Sequence, residues 1–360
     1  MNDLAERVVA GDTRALARVC RLVDDAVGDY RSILGALFPH TGHAWTIGVT
    51  GAPGSGKSTL CDGLITTLRK SGRTVAVLAI DPSSPFSGGA ILGDRIRMQR
   101  HHADSGVFIR SVATRGSLGG LSRSAGDLVR VLDAWGADVV LVETVGVGQD
   151  ELEVTRTVDT TLVVMAPGMG DEVQAFKAGL LECADVFAVN KADREGADVT
   201  VRQLELTISI GLEVHHPAPT PALGHLGAAS TGPGAERASA ASAVESEPAW
   251  ISPIVRTVAP RGEGIEELLT GLEAHRRWFQ DTNAGRERRL DRLREAVRNE
   301  LRNTLLDCAT VEMAEALETA VQAISRRESD PYTATDRLVA AFRGRAATPT
   351  GSVPSRGGEP

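Results

Sequence analysis

The sequence predicts an α/β fold: a doubly wound, mostly parallel sheet with helical segments before and after it. Three observations carry that expectation. Seven short runs rich in β-branched residues alternate with helical stretches. Each run is apolar throughout instead of alternating, as strands read when helices cover both faces of a parallel sheet. A glycine-rich loop follows the first run, and such sheets bind ligands outside the carboxyl ends of their strands.

In chain order, residues 1–42 are expected to form a helical extension. Leu4, Val8, Leu16, Val19, Val23 and Val27 fall roughly on one helical face. The sheet domain is placed at 43–262. Its candidate strands are Trp45–Thr50, Thr74–Ile80, Val107–Val112, Val139–Glu143, Thr160–Ala166, Asp185–Asn190 and Pro253–Val258. A helix is expected from Ser58 to Lys70. Residues 215–249, dominated by Ala, Pro, Gly, Ser and Glu, read as a flexible insertion within the domain. Residues 263–344 read as a helical C-terminal arm. There Leu290, Leu293, Val297, Leu301 and Leu305 form an apolar stripe, and Arg286, Arg288, Arg289, Arg292, Arg294, Arg298 and Arg302 crowd the other faces. That stripe is either an ordinary helix face or a surface for a partner or second copy. Residues 345–360 read as a disordered tail.

Composition narrows the function. The chain has 360 residues, 42% hydrophobic and 24% charged, with 39 Lys and Arg against 47 Asp and Glu. A net charge of −8 and 4% aromatics argue against nucleic acid as the partner. No apolar run approaches the ~18 residues of a membrane span. The N-terminus, with Asp3 and Glu6, does not read as a secretory signal. Cys20, Cys61, Cys183 and Cys308 lie far apart and form no CxxC pair, so a reducing cytoplasm is the expected setting.

The strongest motif is the run Gly51, Ala52, Pro53, Gly54, Ser55, Gly56, Lys57, Ser58, Thr59. It matches GxxxxGK[ST] and stands between a predicted strand and a predicted helix, where a phosphate-binding loop must stand. Its glycines let backbone N–H groups turn toward phosphate oxygens, and the helix N-terminus adds partial positive charge. Lys57 would bring a point charge to the β/γ-phosphates, and Ser58 a hydroxyl to Mg²⁺. At average residue frequencies the bare pattern turns up in roughly one chain in a hundred of this length, so the strand–helix context makes it specific.

Asn190, Lys191, Ala192 and Asp193 follow the strand DVFAVN as an NKxD tetrad. The Asp193 carboxylate can accept from both N1–H and the exocyclic amine of guanine. Adenine offers a lone pair at N1 and lacks that amine, a mismatch of about 1–3 kcal/mol. GTP and GDP are therefore expected over ATP. Glu143 ends the strand VVLVE, where phosphate-loop proteins hold Mg²⁺ or its water. Gly146 would let a backbone N–H approach the γ-phosphate. Asp81 and Asp94 are candidates for the magnesium network or for orienting the attacking water, although Asp81 could equally cap a turn. Gln149 stands near the place of a water-orienting residue. The segment 110–123, rich in Gly, Ser and Arg, is a candidate mobile loop, and Asp171 and Lys177 are candidates in a second one. His101 and His102 fall in a predicted helix, where neighbours point about 100° apart and cannot easily share a metal. His215 and His216 open the insertion with no Cys nearby.

These blocks together resemble one family. GAPGSGKST, DPSSPFSGGAILGDRIRM, TRGSLGGLS, ETVGVGQDE, GDEVQAFKAGLLECADVFAVNKAD and DPYTATDRL are similar to the MeaB/ArgK group of P-loop GTPases, bacterial relatives of the human methylmalonic aciduria type A protein. The resemblance spans about residues 3–340. It implies a P-loop GTPase core with an N-terminal helical extension and a C-terminal helical dimerisation arm. It implies a homodimeric chaperone of an adenosylcobalamin-dependent acyl-CoA mutase, chiefly methylmalonyl-CoA mutase, that couples GTP binding and hydrolysis to cofactor loading and to mutase protection or reactivation. On that pattern Gly51–Thr59 bind phosphate, and Asp81, Asp94 and Glu143 belong to the magnesium and switch network. Asp171 and Lys177 belong to a switch that senses the partner. Asn190, Lys191 and Asp193 read guanine, and backbone groups of Thr257, Val258 and Ala259 complete the base pocket.

The expected activity is slow GTP hydrolysis, with Lys57, Asp94, Glu143 and Gln149 as the candidate catalytic set. Three rivals stand beside it. A P-loop kinase, suggested by older ArgK naming, would need an acceptor other than water. A metal-insertion GTPase would want a Cys/His cluster, which the sequence lacks. A purely structural nucleotide-binding protein would show no turnover.

Overall fold

Each of the seven apolar runs is a strand in the computed structural model, which describes residues 2–81, 98, 100–113, 124–144, 155–168, 183–215 and 250–346. They are β1 (Trp45–Thr50), β2 (Val75–Asp81), β3 (Val107–Ala113), β4 (Val139–Thr144), β5 (Thr160–Met165), β6 (Val186–Asn190) and β7 (Ile254–Thr257). They form one sheet in the order β3-β2-β4-β1-β5-β6-β7, with all six pairings parallel. Strand β1 lies at the centre: Ile47 sits opposite Leu141 of β4 on one side and Thr160 of β5 on the other.

Side chains alternate between the two faces of each strand, and each face has its own core. On one face Ala76, Leu78 and Ile80 of β2 join Val140 and Val142 of β4. They are covered by α1 (Asn2–Val9), α2 (Thr13–Asp24), α3 (Tyr30–Leu37) and α5 (Ala125–Ala134). Asp12 starts α2 by accepting from the N–H groups of Arg14 and Ala15 at 2.8 and 3.1 Å. The opposite face presents Val75, Val77, Ile47, Val49, Leu162 and Val164. These pack on α4 (Lys57–Lys70) and α7 (Ile265–Asp281). Back on the first face, α6 (Ala197–His215) lays Leu204 against Val163, Met165 and Phe187.

The helix from Ile265 corrects one expected boundary. The sequence places the arm from residue 263, yet Ile265, Leu268 and Leu272 are buried against Leu60, Leu64 and Val255 in the sheet's own core. An apolar stripe announces a helix but not the surface that receives it. The first compact unit therefore runs to Arg288, and a second begins at Arg289. Helix α8 (Asn283–Glu312) crosses that point, and the second unit continues with α9 (Ala314–Ser325) and α10 (Pro331–Ala346), which pack on each other. Leu290, Leu293, Val297, Leu301 and Leu305 are exposed along α8. Of the expected insertion, His215 still belongs to α6, and residues 216–249 lie outside the described residues; so does the tail from residue 347.

A buried polar network ties the amino ends of β1, β5 and β6 together. Trp45 Nε1 donates to Thr160 Oγ1 at 3.0 Å, and Thr160 Oγ1 is 2.9 Å from His275 Nδ1 on α7. His275 Nε2 is 3.2 Å from Asp185 Oδ1. Arg288 grips both oxygens of Asp185 at 2.7 and 3.1 Å, and the Thr161 N–H donates to Oδ2 at 2.7 Å. Strand β6 starts one residue later than expected, at Val186, although the Asp185 N–H still donates to the Thr161 carbonyl at 2.9 Å.

Candidate nucleotide site

At the carboxyl end of β1 the chain turns sharply from Thr50 into the loop Gly51–Gly56. Gly51 has φ +134, and a Cβ there would stand 2.1 Å from the Val164 carbonyl oxygen of β5. Gly56, at φ +97, would drive a Cβ to 2.3 Å from Asn190 Nδ2. Only glycine permits both the turn and the close approach. Gly56 also opens α4 without a side-chain cap, so the first-turn amides are left for a ligand anion.

Lys57 is buried inside this loop, its Nζ donating to the carbonyls of Gly51 at 2.7 Å and Ala52 at 3.0 Å. Ser55 Oγ is buried with no hydrogen-bond partner among the described residues. A phosphate oxygen would satisfy that hydroxyl. Ser58 Oγ donates to Glu143 Oε1 at 2.5 Å, so the two expected metal-site groups meet across α4 and β4. Both residues are buried, with the Thr144–Thr50 hydroxyl pair beside them at 3.1 Å. Thr59 takes its place in the first turn of α4.

The loop expected to read the base is fastened directly to the phosphate loop. Asn190 is almost fully buried; its Nδ2 donates to the Ser55 carbonyl at 2.8 Å. Its Oδ1 accepts from Ala259 N–H at 3.1 Å and Thr257 Oγ1 at 3.2 Å. Lys191, held at φ +55, reaches over to donate from Nζ to the Gly54 carbonyl at 2.6 Å. The Ala192 N–H donates to the Thr257 carbonyl at 3.1 Å, and Val258 N–H to the Glu263 carbonyl at 3.0 Å. Asp193 is half-exposed beside Arg261, whose Nη1 is 3.6 Å from Oδ2. Thus Asn190, Lys191, Asp193, Thr257, Val258 and Ala259 are brought to one place. The N–H groups of Val258 and Ala259 serve the loop's own geometry.

Asp81 closes β2 opposite Ala113, and nothing is described of its side chain. Asp94, Gly146, Gln149, Asp171 and Lys177 lie outside the described residues, as do residues 114–123 of the candidate mobile loop. His101 lies in a 3-10 turn instead of the expected helix, with Nε2 2.9 Å from Asp62 Oδ1 on α4. No group of three or more His, Cys, Asp or Glu among the described residues is arranged to hold a metal ion. The four cysteines are free; burial pushes the Cys20 thiol up to about 12 and the Cys61 thiol well above its ordinary value. No described helix is long and apolar enough to cross a membrane. Sequence reasoning missed Arg261 and Glu263. The PRGEG run marks a turn there but gives no sign that a charge pair sits beside Asp193.

Residues 16–314 match the family described as methylmalonyl-CoA mutase-associated GTPase MeaB. The chain belongs to the MeaB family. A Pyrococcus abyssi protein, provisionally named a GTPase, is 42% identical over 341 residues, covering 94% of this chain and 96% of that one. The Escherichia coli GTPase ArgK is 43% identical over 191 residues, 52% of this chain and 58% of its own. The mouse mitochondrial methylmalonic aciduria type A homolog is 41% identical over 147 residues, 41% of this chain and 35% of its own. Among solved structures, one titled LAO/AO transport system kinase superposes with a TM-score of 0.61 at 24% identity, covering 95% of this chain and 97% of that one. At that identity it shows the shared fold alone. With MeaB membership and this fold, the chain is a guanine-nucleotide-binding P-loop GTPase.

Proposed function

We propose that this MeaB-family GTPase is a Mg²⁺-dependent switch that serves an adenosylcobalamin-dependent acyl-CoA mutase, in the first place methylmalonyl-CoA mutase. It couples GTP binding and hydrolysis to cofactor loading and to protection or reactivation of the mutase. It works in the cytoplasm as a homodimer. The observation that carries the mutase reading is the family match over residues 16–314, whose description names that enzyme. The exposed apolar stripe on α8 supports a second copy at the arm.

The residues present fit a magnesium ion. A P-loop site needs few protein ligands, because phosphate oxygens and water complete the shell. Ser58 and Glu143 offer a hydroxyl and a carboxylate already in contact. Asp81 and Asp94 are the further candidates. When bound, Mg²⁺ supplies positive charge to the β- and γ-phosphate oxygens. Lys57 does the same from inside the loop, and the α4 N-terminus adds its amides. Asn190 holds the base-reading and phosphate loops at a fixed separation, so one nucleotide engages both. Asp193 accepts from the guanine N1–H and amine, with Lys191 and the Thr257–Ala259 segment beside it. Gly146 approaches the γ-phosphate, and Asp94 or Gln149 orients the attacking water. Asp171 and Lys177 pass the nucleotide state to the mutase.

The test is GTP hydrolysis by the purified chain, alone and with each adenosylcobalamin-dependent mutase of the same organism, with ATP as control. Stimulation of GTP but not ATP turnover by one mutase supports the reading and names the client. No stimulation by any of them overturns the chaperone role and leaves a GTPase with another client. Phosphate transfer to an acceptor other than water would favour the kinase reading.

A further inference from the structure

Glu263 and Arg261 form a built charge pair at the edge of the base-reading loop. Arg261 ends the 3-10 turn Ala259–Arg261, which is closed by its own N–H to the Val258 carbonyl at 2.9 Å. Glu263 is pinned by the Val258–Glu263 bridge. The next residue, Gly264, has φ +75, and a Cβ there would stand 2.0 Å from the Arg256 carbonyl oxygen, so the backbone path around Glu263 is fixed. From that fixed place Glu263 holds the guanidinium at two points, Oε1 to Nε at 2.8 Å and Oε2 to Nη2 at 3.3 Å. What remains toward Asp193 is Nη1, 3.6 Å from Oδ2.

That distance is informative. It is too long for a hydrogen bond, so Arg261 does not occupy the lone pairs with which Asp193 would meet a base. It is within ion-pair reach, so the charge biases the carboxylate toward the guanidinium. In the open loop, where both side chains are about half exposed, water weakens the attraction. A base laid over the pair excludes that water and strengthens it. We infer that Arg261, steadied by Glu263, is a specificity-determining positioning residue: it orients Asp193 to receive the N1–H and the exocyclic amine of guanine together. This rests on the reading of Asp193 as the guanine acceptor.

The experiment measures dissociation constants of GDP, IDP and ADP by calorimetry. It uses the full chain as wild type and as Arg261→Ala, Arg261→Lys and Glu263→Gln. IDP keeps N1–H and lacks the amine, so the IDP-to-GDP ratio reads the second hydrogen bond. Wild type is expected to prefer GDP over IDP by about tenfold, one charge-assisted hydrogen bond. Arg261→Ala should bring the ratio down to about twofold while IDP affinity changes little. Arg261→Lys should restore part of the preference, and Glu263→Gln should fall between. An unchanged ratio in Arg261→Ala overturns the proposal, as does an equal loss for all three nucleotides, which would mark a merely structural role. Equal binding of GDP, IDP and ADP by wild type would instead bring down the guanine reading of Asp193 itself.

Discussion

Ser58 Oγ donates to Glu143 Oε1 at 2.5 Å, so the first turn of the phosphate-loop helix and the end of β4 meet through a hydroxyl and a carboxylate. If both serve a magnesium ion, removing either should weaken metal use before it weakens folding. Ser58→Ala and Glu143→Gln are expected to raise the free Mg²⁺ needed for half-maximal GTP turnover by about 10- to 100-fold. Turnover against free Mg²⁺ checks this. Wild-type metal curves in both variants would remove these residues from the metal site.

Beside the base contact expected of it, Asn190 has a structural role. Replacing it with Ala takes a partner from the Ser55 carbonyl and another from the Ala259 N–H, and the site is buried. An unsatisfied buried group costs about 1–3 kcal/mol, so Asn190→Ala should lose roughly 2–4 kcal/mol of stability without nucleotide. It should also lose most of the melting-temperature rise that GDP gives wild type, because the two loops are no longer held together. Thermal melts with and without GDP read both effects.

The loop glycines should separate into three kinds. At Gly51 a Cβ meets the Val164 backbone, which cannot move aside, so Gly51→Ala should destabilise the fold itself. At Gly56 the obstacle is the Asn190 side chain, so Gly56→Ala should keep the sheet and lose nucleotide. At Gly54, φ +74, nothing among the described residues stands within 4 Å, and Gly54→Ala should cost only the left-handed strain of about 1–2 kcal/mol. Melting temperature and GDP affinity measured side by side distinguish the three. Equal behaviour of Gly51→Ala and Gly54→Ala would contradict the close approach to β5.

The strands are legible because a parallel sheet buried on both faces leaves unbroken apolar runs, as in Val139–Val142. The phosphate loop is legible because its chemistry fixes the spacing from Gly51 to Ser58. Less can be read where the decisive partner is distant in sequence. The stripe Ile265, Leu268, Leu272 announces a helix, but only the structure shows it packed on Leu60 and Leu64, inside the core instead of in an arm. From sequence, Asn190 reads as a contact to the base. Its hold on Ser55, 135 residues away, has no local signature. The same holds for Arg261 and Asp193, which share a site although they are far apart in the chain.

Asp185 gives the molecule a definite acid limit. Burial by itself would raise its carboxyl, but the His275 hydrogen bond and the Arg288 charge more than offset burial, and its pKa lies below the ordinary value. A carboxylate depressed in the folded state stabilises fully above its unfolded pKa of about 3.9, and that stabilisation fades as pH falls through the lower folded value. Wild type should therefore lose melting temperature progressively below about pH 4. Asp185→Asn should start lower at neutral pH, by roughly 3 kcal/mol, because Arg288 keeps its charge without its partner. Its curve should then be flatter than wild type in the acid window, since the titrating group is gone. Arg288→Gln makes the opposite test. It leaves the buried carboxylate without its nearby cation, so the Asp185 pKa should rise toward or past its unfolded value, and the acid loss of melting temperature should shrink or reverse relative to wild type. Melting temperatures of the three proteins from about pH 3 to about pH 8 decide it. Parallel curves for all three would mean that the Asp185–Arg288 pair carries no pH-dependent stability, whatever its geometry.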